Sequence, residues 1–277
     1  MTRRLWSQYG LKYNPFSPEA PVQAFVLGRD VENFCWRVEH QLSEGGFALL
    51  AGEPGTGKSV ALRLLSERLS KLPDVTVAML SRPQSSPADF YREMGDLFAV
   101  ELKPSNRWAG TKVLRQRWLS HIDSSLLRPL LLIDEAQEMS LTLLNELRLL
   151  SSVELDAKSV LTVVLSGDRR LLEKLQTPDL MPLAGRIRTQ LRLKAVDVEE
   201  LKHTLAHVLE QAGNATLIDK AVVASLCEQA MGNYRTLMNA ANDLLAAAVR
   251  DKRDTIDQEL FFQVMDLQPR DKRRRRR

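Results

Sequence analysis

Residues 52–59, GEPGTGKS, have the composition and spacing of a phosphate-binding loop. They fit the pattern G-x-x-x-x-G-K-S/T in full, with an apolar run before them and a leucine-rich run after them. Glycines permit the tight turn that directs backbone N–H groups at phosphate oxygens. In this pattern the lysine neutralises the β- and γ-phosphates, and the final hydroxyl binds Mg²⁺. The stretch predicts a nucleoside triphosphate site, with contacts from Gly52, Glu53, Pro54, Gly55, Thr56, Gly57, Lys58, Ser59 and Val60.

An acidic pair follows the apolar run in LLLIDEAQ, residues 130–137. Carboxylates at the end of a buried strand are costly unless a cation or water meets them. We assign Asp134 to Mg²⁺, mainly through its waters, and Glu135 to the general base that polarises the attacking water. An isolated Asp-Glu pair would more simply cap a helix, but a complete phosphate loop favours the catalytic interpretation. The pair predicts hydrolysis rather than nucleotide binding alone.

The segment VVLSGD ends the next apolar run with two polar residues, Ser166 and Asp168. Either could sense the γ-phosphate or position the water. We prefer Ser166 because of its place at the strand end, although a serine there is also a common turn former.

Three arginines are further candidates. Arg186 and Arg188 precede the last predicted strand, from which one of them could stabilise the phosphoryl charge in a neighbouring subunit's site. The alternative is an ordinary surface arginine. Arg235, in GNYR, begins a later helix, where a cation is electrostatically unfavourable. We therefore expect an anionic partner for Arg235, such as the γ-phosphate.

The elements that position these residues follow an alternating pattern up to residue 196. Apolar runs bounded by turns predict strands at residues 47–51, 74–80, 130–134, 160–166 and 190–193, separated by helices at 29–43, 58–71, 87–98, 112–125, about 141–150 and 169–175. This pattern is typical of an α/β fold with a parallel sheet covered on both faces. Beyond it, only helices are predicted, at residues 198–213, 219–231, 233–252 and 257–267. The predicted domains are an N-terminal segment (1–28), an α/β domain (29–196), a helical domain (197–268) and an arginine-rich tail (269–277).

Composition indicates a soluble globular protein. The 277 residues are 44% hydrophobic and 27% charged, and no apolar run reaches the ~20 residues that a membrane span requires. The start has no apolar signal-peptide core, and the two cysteines have no metal-ligand spacing, which favours the cytoplasm. The net charge of +4 is concentrated in the tail PRDKRRRRR. We expect this tail to be disordered, either as a solvated end or as a contact to nucleic-acid phosphates.

These motifs, in this order and with a helical domain after them, resemble the AAA+ ATPases. GLKYNPFSP, LLIDEAQEM, LNELRLLSSVELD and GNYRTLMNAANDLL are similar to the ExeA/GspA branch, which includes a secretion ATPase and transposon-encoded ATPases akin to TniB and TnsC. The similarity extends from about residue 8 to 267. It implies a five-stranded parallel sheet in the order 5-1-4-3-2, a C-terminal helical lid, and ATP with Mg²⁺ at a subunit interface. It also implies adenine contacts from Asn14, Pro15, Phe16, Leu27 and Gly28. Two positions depart from the family pattern, with Tyr234 in place of a proline and Asp168 in place of a glutamine.

The resemblance leaves two functions open. The preferred one is an ATPase that forms a homo-oligomeric ring or filament on double-stranded target DNA and recruits or activates a transposase, with or without a targeting adaptor. The alternative is a cytoplasmic ATPase that regulates secretion or cell-envelope assembly without DNA. A helicase-loader-like switch is a weaker third hypothesis. Sequence-independent backbone contacts are predicted from Arg82, Gln84 and Ser85 in one loop, and from Arg107, Lys112 and Arg115 in a second cluster whose alternative is a solvated helix face. Trp108 and Trp118 are expected to pack.

Overall fold

A parallel five-stranded sheet forms the centre of the first of two compact units. In this computed structural model, which describes residues 8–26, 28–102, 107–153 and 158–267, the strands are β1 (Gly46–Gly52), β2 (Val75–Leu80), β3 (Arg128–Ile133), β4 (Ser152–Val153), β5 (Lys158–Ser159), β6 (Thr162–Gly167) and β7 (Ile187–Leu193). The sheet has the order β2-β3-β6-β1-β7, and β4 and β5 form a separate antiparallel hairpin. Numbered among the five sheet strands alone, this is 2-3-4-1-5. The predicted order 5-1-4-3-2, read from the other edge, is confirmed.

The three central strands are buried on both faces, which explains their continuous apolar sequences. Residues Leu130 to Ile133 of β3 have no exposed surface. The register pairs Leu165 of β6 with both Leu49 of β1 and Ile133 of β3. As a result, the carboxyl ends of β1, β3 and β6 lie side by side, and the residues that follow these strands meet at one edge.

Seven helices of this unit lie in its described residues: α1 (Arg29–Gln41), α2 (Lys58–Leu69), α3 (Pro87–Leu97), α4 (Arg107–Ser125), α5 (Leu141–Ser151), α6 (Arg169–Leu175) and α7 (Met181–Ala184). One apolar core joins α1 and α2 to one face of the sheet, through side chains such as Phe34 and Leu62. The other core joins the remaining helices to the opposite face, through Phe90, Trp118 and Leu147. Each such buried side chain stabilises the fold by about 1.5–3 kcal/mol.

Two predicted boundaries differ from the structure by three residues or more. Helix α4 begins at Arg107 rather than at residue 112, and it contains Gly110. A Cβ at Gly110 would lie 3.1 Å from the Tyr91 ring, so this glycine serves close packing instead of ending the helix. Strand β7 begins at Ile187 rather than at residue 190, because the strand lies at the sheet edge and exposes alternate polar residues. The β4–β5 hairpin was not predicted.

The second unit is helical. It joins the described parts of Met1–Val26 and Ala195–Arg277 and contains α8 (Val198–Ala212), α9 (Lys220–Ala230), α10 (Tyr234–Asp251) and α11 (Gln258–Leu267). The four helices lie within one residue of their predicted ends. Side chains of Tyr9, Leu11 and Phe16 belong to the same apolar core as these helices. The arginine-rich tail, residues 269–277, lies outside the described residues, and none of the described helices is both long and apolar enough to cross a bilayer.

Candidate functional site

The predicted phosphate loop connects β1 to α2. Gly55 and Gly57 adopt left-handed conformations, with φ of 86° and 99°, which glycine accepts without steric cost. Gly57 occupies the N-cap position of α2, and no side chain caps that helix. The first N–H groups of α2 therefore point into the loop without a side-chain partner, the arrangement that binds phosphate.

Lys58, the first residue of α2, folds back over this loop. Its side chain is 5% exposed, and its ammonium donates hydrogen bonds to the carbonyl oxygens of Gly52 (2.9 Å) and Glu53 (3.2 Å). Lys58 forms no ion pair with any residue that the structure describes. A buried ammonium held only by neutral carbonyls keeps its attraction for an anion. The loop is therefore both shaped and charged for a polyphosphate.

A chain of hydrogen bonds joins Ser59, Asp134 and Ser166. The Ser59 hydroxyl donates to Oδ2 of Asp134 (2.9 Å), and the buried Ser166 hydroxyl donates to Oδ1 (2.8 Å). The two residues predicted to bind Mg²⁺ are thus in contact, and the strand-end serine is with them. One carboxylate and one hydroxyl suit Mg²⁺, which usually keeps waters and shares its remaining ligands with phosphates.

Glu135, the predicted base, follows Asp134 in a strained turn. Its φ of 52° lies in the left-handed region, which is uncommon for a residue with a side chain. The following residues Ala136–Glu138 form a 3₁₀ turn. Within this turn Gln137 is buried, and its side-chain amide donates a hydrogen bond to Oε2 of Glu135. Gln137 was not predicted as a site residue, and only its position two residues after the base could have drawn attention to it.

Asp168 serves as the N-cap of α6. Its Oδ1 accepts from the backbone N–H of Arg170 (2.9 Å), and Arg170 forms ion pairs with both Asp168 and Glu138. Partial burial is the largest single influence and acts to raise the pKa of Asp168. The hydrogen bonds and charge of Arg170, together with the charge of Lys58, outweigh it and hold that pKa below its ordinary value. Of the two strand-end candidates, Ser166 is the one whose side chain bonds to Asp134.

The sequence profile of the family described as "AAA domain" matches residues 40–175. That range includes the phosphate loop, Asp134, Glu135 and Ser166.

Over these residues the chain is similar to the AAA domain family.

Similarity to known proteins extends beyond this domain. The chain is 30% identical over 267 residues to general secretion pathway protein A of Aeromonas hydrophila; the match covers 94% of the chain but only 48% of that protein. Cdc6p from Pyrobaculum aerophilum has a similar structure, with a TM-score of 0.74, 15% identity, and coverage of 91% of this chain and 70% of that one. The Aeropyrum pernix ORC1 protein, solved in complex with DNA, gives a TM-score of 0.64 at 18% identity, covering 91% and 68%. At these identities the two structures establish the fold alone.

Arg186 and Arg188 lie at the opposite end of the five-stranded sheet from the phosphate loop. They line a cleft of about 790 Å³ that also includes Gly46, the first residue of β1. A strand of seven residues places its two ends about 20 Å apart. Arg188 forms an ion pair with Glu44, and Arg186 donates to the carbonyl oxygen of Pro182 (2.5 Å). Neither arginine is placed to reach the phosphate loop of its own chain.

Other predicted nucleotide contacts lie in the helical unit. Arg235 is exposed near the start of α10 and forms no hydrogen bond or ion pair among the described residues. Phe16 is buried in the helical core, and Asn14 donates from Nδ2 to Oδ1 of Asn242 (2.8 Å). Pro15 is buried beside them. In the unit that contains the sheet, Gly28 immediately precedes α1, and Leu27 lies outside the described residues.

The predicted DNA contacts differ in their surroundings. Arg82 and Gln84 are exposed in the loop between β2 and α3, where the buried Ser85 hydroxyl has no hydrogen-bond partner in the described chain. Lys112 is exposed, with its ammonium 5.9 Å from the centre of the Trp108 ring. Arg115 donates to the carbonyl oxygens of Leu149 and Leu150 at the end of α5, which is a structural use of its guanidinium. The side chain of Arg107 lies outside the described residues.

The expectation that both tryptophans pack is half wrong. Trp118 is fully buried, whereas Trp108 is 76% exposed.

Proposed function

We propose that this protein hydrolyses ATP and uses the nucleotide to control its assembly on double-stranded DNA, where it recruits or activates a transposase. The observation that carries the hydrolytic part is the contact of Ser59, Asp134 and Ser166 directly beside Glu135. A site that only bound nucleotide would need the loop and Lys58, but not a second, exposed carboxylate next to the one that would hold the metal.

In the proposed mechanism, the loop N–H groups and Lys58 bind the β- and γ-phosphates. Ser59 and Asp134 would hold Mg²⁺, which neutralises phosphate charge when bound. Ser166 keeps the Asp134 carboxylate in place through its hydrogen bond. Glu135 accepts a proton from the attacking water, because its exposed carboxylate lies beside the phosphate-binding edge.

Assembly would complete the site. Arg186 and Arg188 are at the far end of the sheet from their own phosphate loop, in an open cleft. From there an arginine would meet the γ-phosphate of the next subunit and stabilise the charge that develops during transfer. ATP would therefore join subunits, and its hydrolysis would release them. Arg235 would supply a second cation from the helical unit, which is consistent with its lack of a partner among the described residues.

The DNA part rests on the exposed loop after β2 and on the fold. Arg82 and Gln84 present a cation and an amide to solvent, which suit contacts to phosphate oxygens without reading bases. A protein with the same fold, the Aeropyrum pernix ORC1 protein, was solved in complex with DNA. The proposal that the partner is a transposase rests on the resemblance of the motifs to those of transposon-encoded ATPases. Arg115 is not part of the proposed surface because its guanidinium is used within the fold.

A second function is favoured by a specific observation. The 30% identity with general secretion pathway protein A supports an ATPase that regulates secretion or envelope assembly without DNA. The chain spans about half of that protein's length, so the activity of the whole relative is itself only a hypothesis for this chain.

A salt-titrated binding assay with labelled duplex DNA separates the two functions. With ATP we expect tighter binding than with ADP or no nucleotide, and a logarithmic affinity that falls with salt by about 0.9 per phosphate contact. Replacing Arg82 with alanine should reduce that slope by about 1. The matched control is Arg250→Ala, which removes another exposed arginine, one that belongs to the helical unit. If ATP fails to strengthen binding at low salt and no salt dependence is seen, the secretion-type function becomes the better one.

A further inference from the structure

We propose that Gln137 is a positioning residue for Glu135, and that through it the end of β6 controls the rate of ATP hydrolysis. The inference rests on the proposed ATPase activity and adds a means of regulating the same site. Glu135 is exposed, and a free glutamate side chain samples several rotamers. The hydrogen bond from Gln137 restricts the rotamers that the Glu135 side chain can adopt.

The Gln137 amide uses both of its ends. Nε2 donates to Oε2 of Glu135, and Oε1 accepts from the backbone N–H of Asp168 (3.2 Å). The reversed amide would place an oxygen against a carboxylate and an NH₂ group against an N–H, so the two partners fix a single orientation. Since Gln137 is 2% exposed, water does not compete for these bonds.

Two neighbours, Lys174 and Gly167, define the position of Gln137. Lys174 of α6 donates from Nζ to the carbonyl oxygens of Gln137 (2.5 Å) and Met139 (2.9 Å), which fixes the backbone of the turn. A Cβ at Gly167 would lie 2.6 Å from Oε1 of Gln137 and 2.8 Å from Cδ2 of Leu171. The amide therefore occupies space that exists only because residue 167 is glycine.

The end of β6 consequently contacts both acidic residues of the site. Ser166 bonds to Asp134 directly, and Asp168, two residues later, bonds to Glu135 through Gln137. A displacement of this strand end when phosphate binds next to Ser166 would move the Glu135 carboxylate with it. Gln137 thus connects the state of the phosphate-binding edge to the position of the base.

The test compares two variants of the full chain, Gln137→Met and Gln137→Glu, with the wild type. Methionine removes both hydrogen bonds at similar size; glutamate keeps the acceptor for Asp168 but removes the donor and repels Glu135. For both variants we expect kcat to fall on the order of 10- to 100-fold, the cost of a misplaced catalytic group. KM and the dissociation constant of a fluorescent ATP analogue should stay within about twofold, because no phosphate contact is lost. The matched control, Gln176→Met, changes an exposed glutamine at the end of α6 and should leave kcat unchanged.

A Glu135→Gln background distinguishes positioning from a general structural role. If Gln137 acts through Glu135, Gln137→Met should cause no further loss of single-turnover rate in that background. An additional loss as large as in the wild type, or a kcat within twofold of the wild type for both single variants, overturns the inference. Should Gln137→Met fail to fold, as judged by its thermal unfolding, Gln137→Glu carries the test because it retains the shape and the acceptor. A wild-type protein that does not hydrolyse ATP would instead refute the proposed function itself.

Discussion

The hydroxyl of Ser166 donates a 2.8 Å hydrogen bond to Oδ1 of Asp134, which joins the ends of two adjacent parallel strands. The opposite carboxylate oxygen accepts from Ser59 at the start of α2. A single carboxylate is therefore shared between the phosphate loop and the neighbouring strand of the sheet. Loss of either hydrogen bond should therefore displace the Asp134 carboxylate, and with it the expected Mg²⁺ position, and should lower the rate of hydrolysis.

Ser166→Ala should lower kcat because the Asp134 carboxylate loses one of its two side-chain hydrogen bonds at a buried position. Loss of a bond to a charged group costs about 1.5–3 kcal/mol, which corresponds to a rate loss on the order of 10- to 100-fold if it is felt only in the transition state. Steady-state ATPase assays at several Mg²⁺ concentrations measure this change in kcat. Asp168→Asn, which retains a good helix cap, should leave kcat nearly unchanged. The opposite pattern would mean that Asp168, and not Ser166, is the sensing residue.

Lys58→Ala should abolish nucleotide binding and ATP-dependent assembly together, since the buried ammonium is the cation of the phosphate loop. Binding of a fluorescent ATP analogue and size-exclusion chromatography with ATP would report the two effects. Lys71→Ala, at an exposed position just after α2, is the matched control. Assembly that survives in Lys58→Ala would show that nucleotide does not join the subunits.

Glu135→Gln should bind ATP normally but slow hydrolysis by about 10²- to 10⁴-fold, the usual contribution of a general base. Because release depends on hydrolysis, assemblies of this variant should also persist on DNA. Phosphate release and dissociation from immobilised duplex DNA measure the two consequences. Full turnover in this variant would exclude Glu135 as the base.

Arg186→Ala and Arg188→Ala test the arginine in trans. If one of these arginines contacts the γ-phosphate of the neighbouring subunit, its replacement by alanine should lower kcat on the order of 10³-fold and leave ATP affinity largely unchanged. Mixing the defective variant with Glu135→Gln should recover part of the activity, because the second subunit supplies an intact arginine to an intact site. No recovery on mixing would indicate that the arginine acts within its own chain.

The Asp168 cap predicts a pH-dependent contribution to stability. Its pKa is lower in the folded chain than in the unfolded chain, where the value is about 3.9. The unfolded state therefore takes up protons first as the pH falls, so the stabilisation is fully present above about pH 5 and is lost as the pH falls through the folded-state pKa. In urea unfolding, the wild type should have a larger free energy of unfolding than Asp168→Asn at pH 7, and this difference should shrink as the pH falls through the folded-state pKa. A difference that grows at low pH would contradict this assignment.

The sequence predicts the parts of this molecule that depend on local pattern. The phosphate loop, the buried strand before Asp134 and the four helices of the second unit follow from glycine spacing, apolar runs and periodicity. The strand order came from the family resemblance.

The contacts that could not be predicted depend on how distant elements of the chain pack against one another. The hydrogen bond from the Asp168 N–H to Gln137 forms only because the turn after β3 lies against the end of β6. The hydrogen bonds from Arg115 to the end of α5 form only because α4 packs against α5. Tyr9 and Phe16 likewise belong to the helical core, although some 180 residues separate them from its first helix in sequence.

The contrast between Trp108 and Trp118 has an optical consequence. Trp108 is exposed beside Lys112, whereas Trp118, ten positions further along the same helix, is enclosed. An exposed indole emits at longer wavelength and is accessible to iodide, while an enclosed one is shielded. In a variant without Trp6 and with the half-exposed Trp36 replaced, a ligand that binds at Lys112 should therefore change the red side of the emission spectrum and protect it from quenching. The helix that carries a predicted contact also carries its own fluorescent reporter and an internal reference.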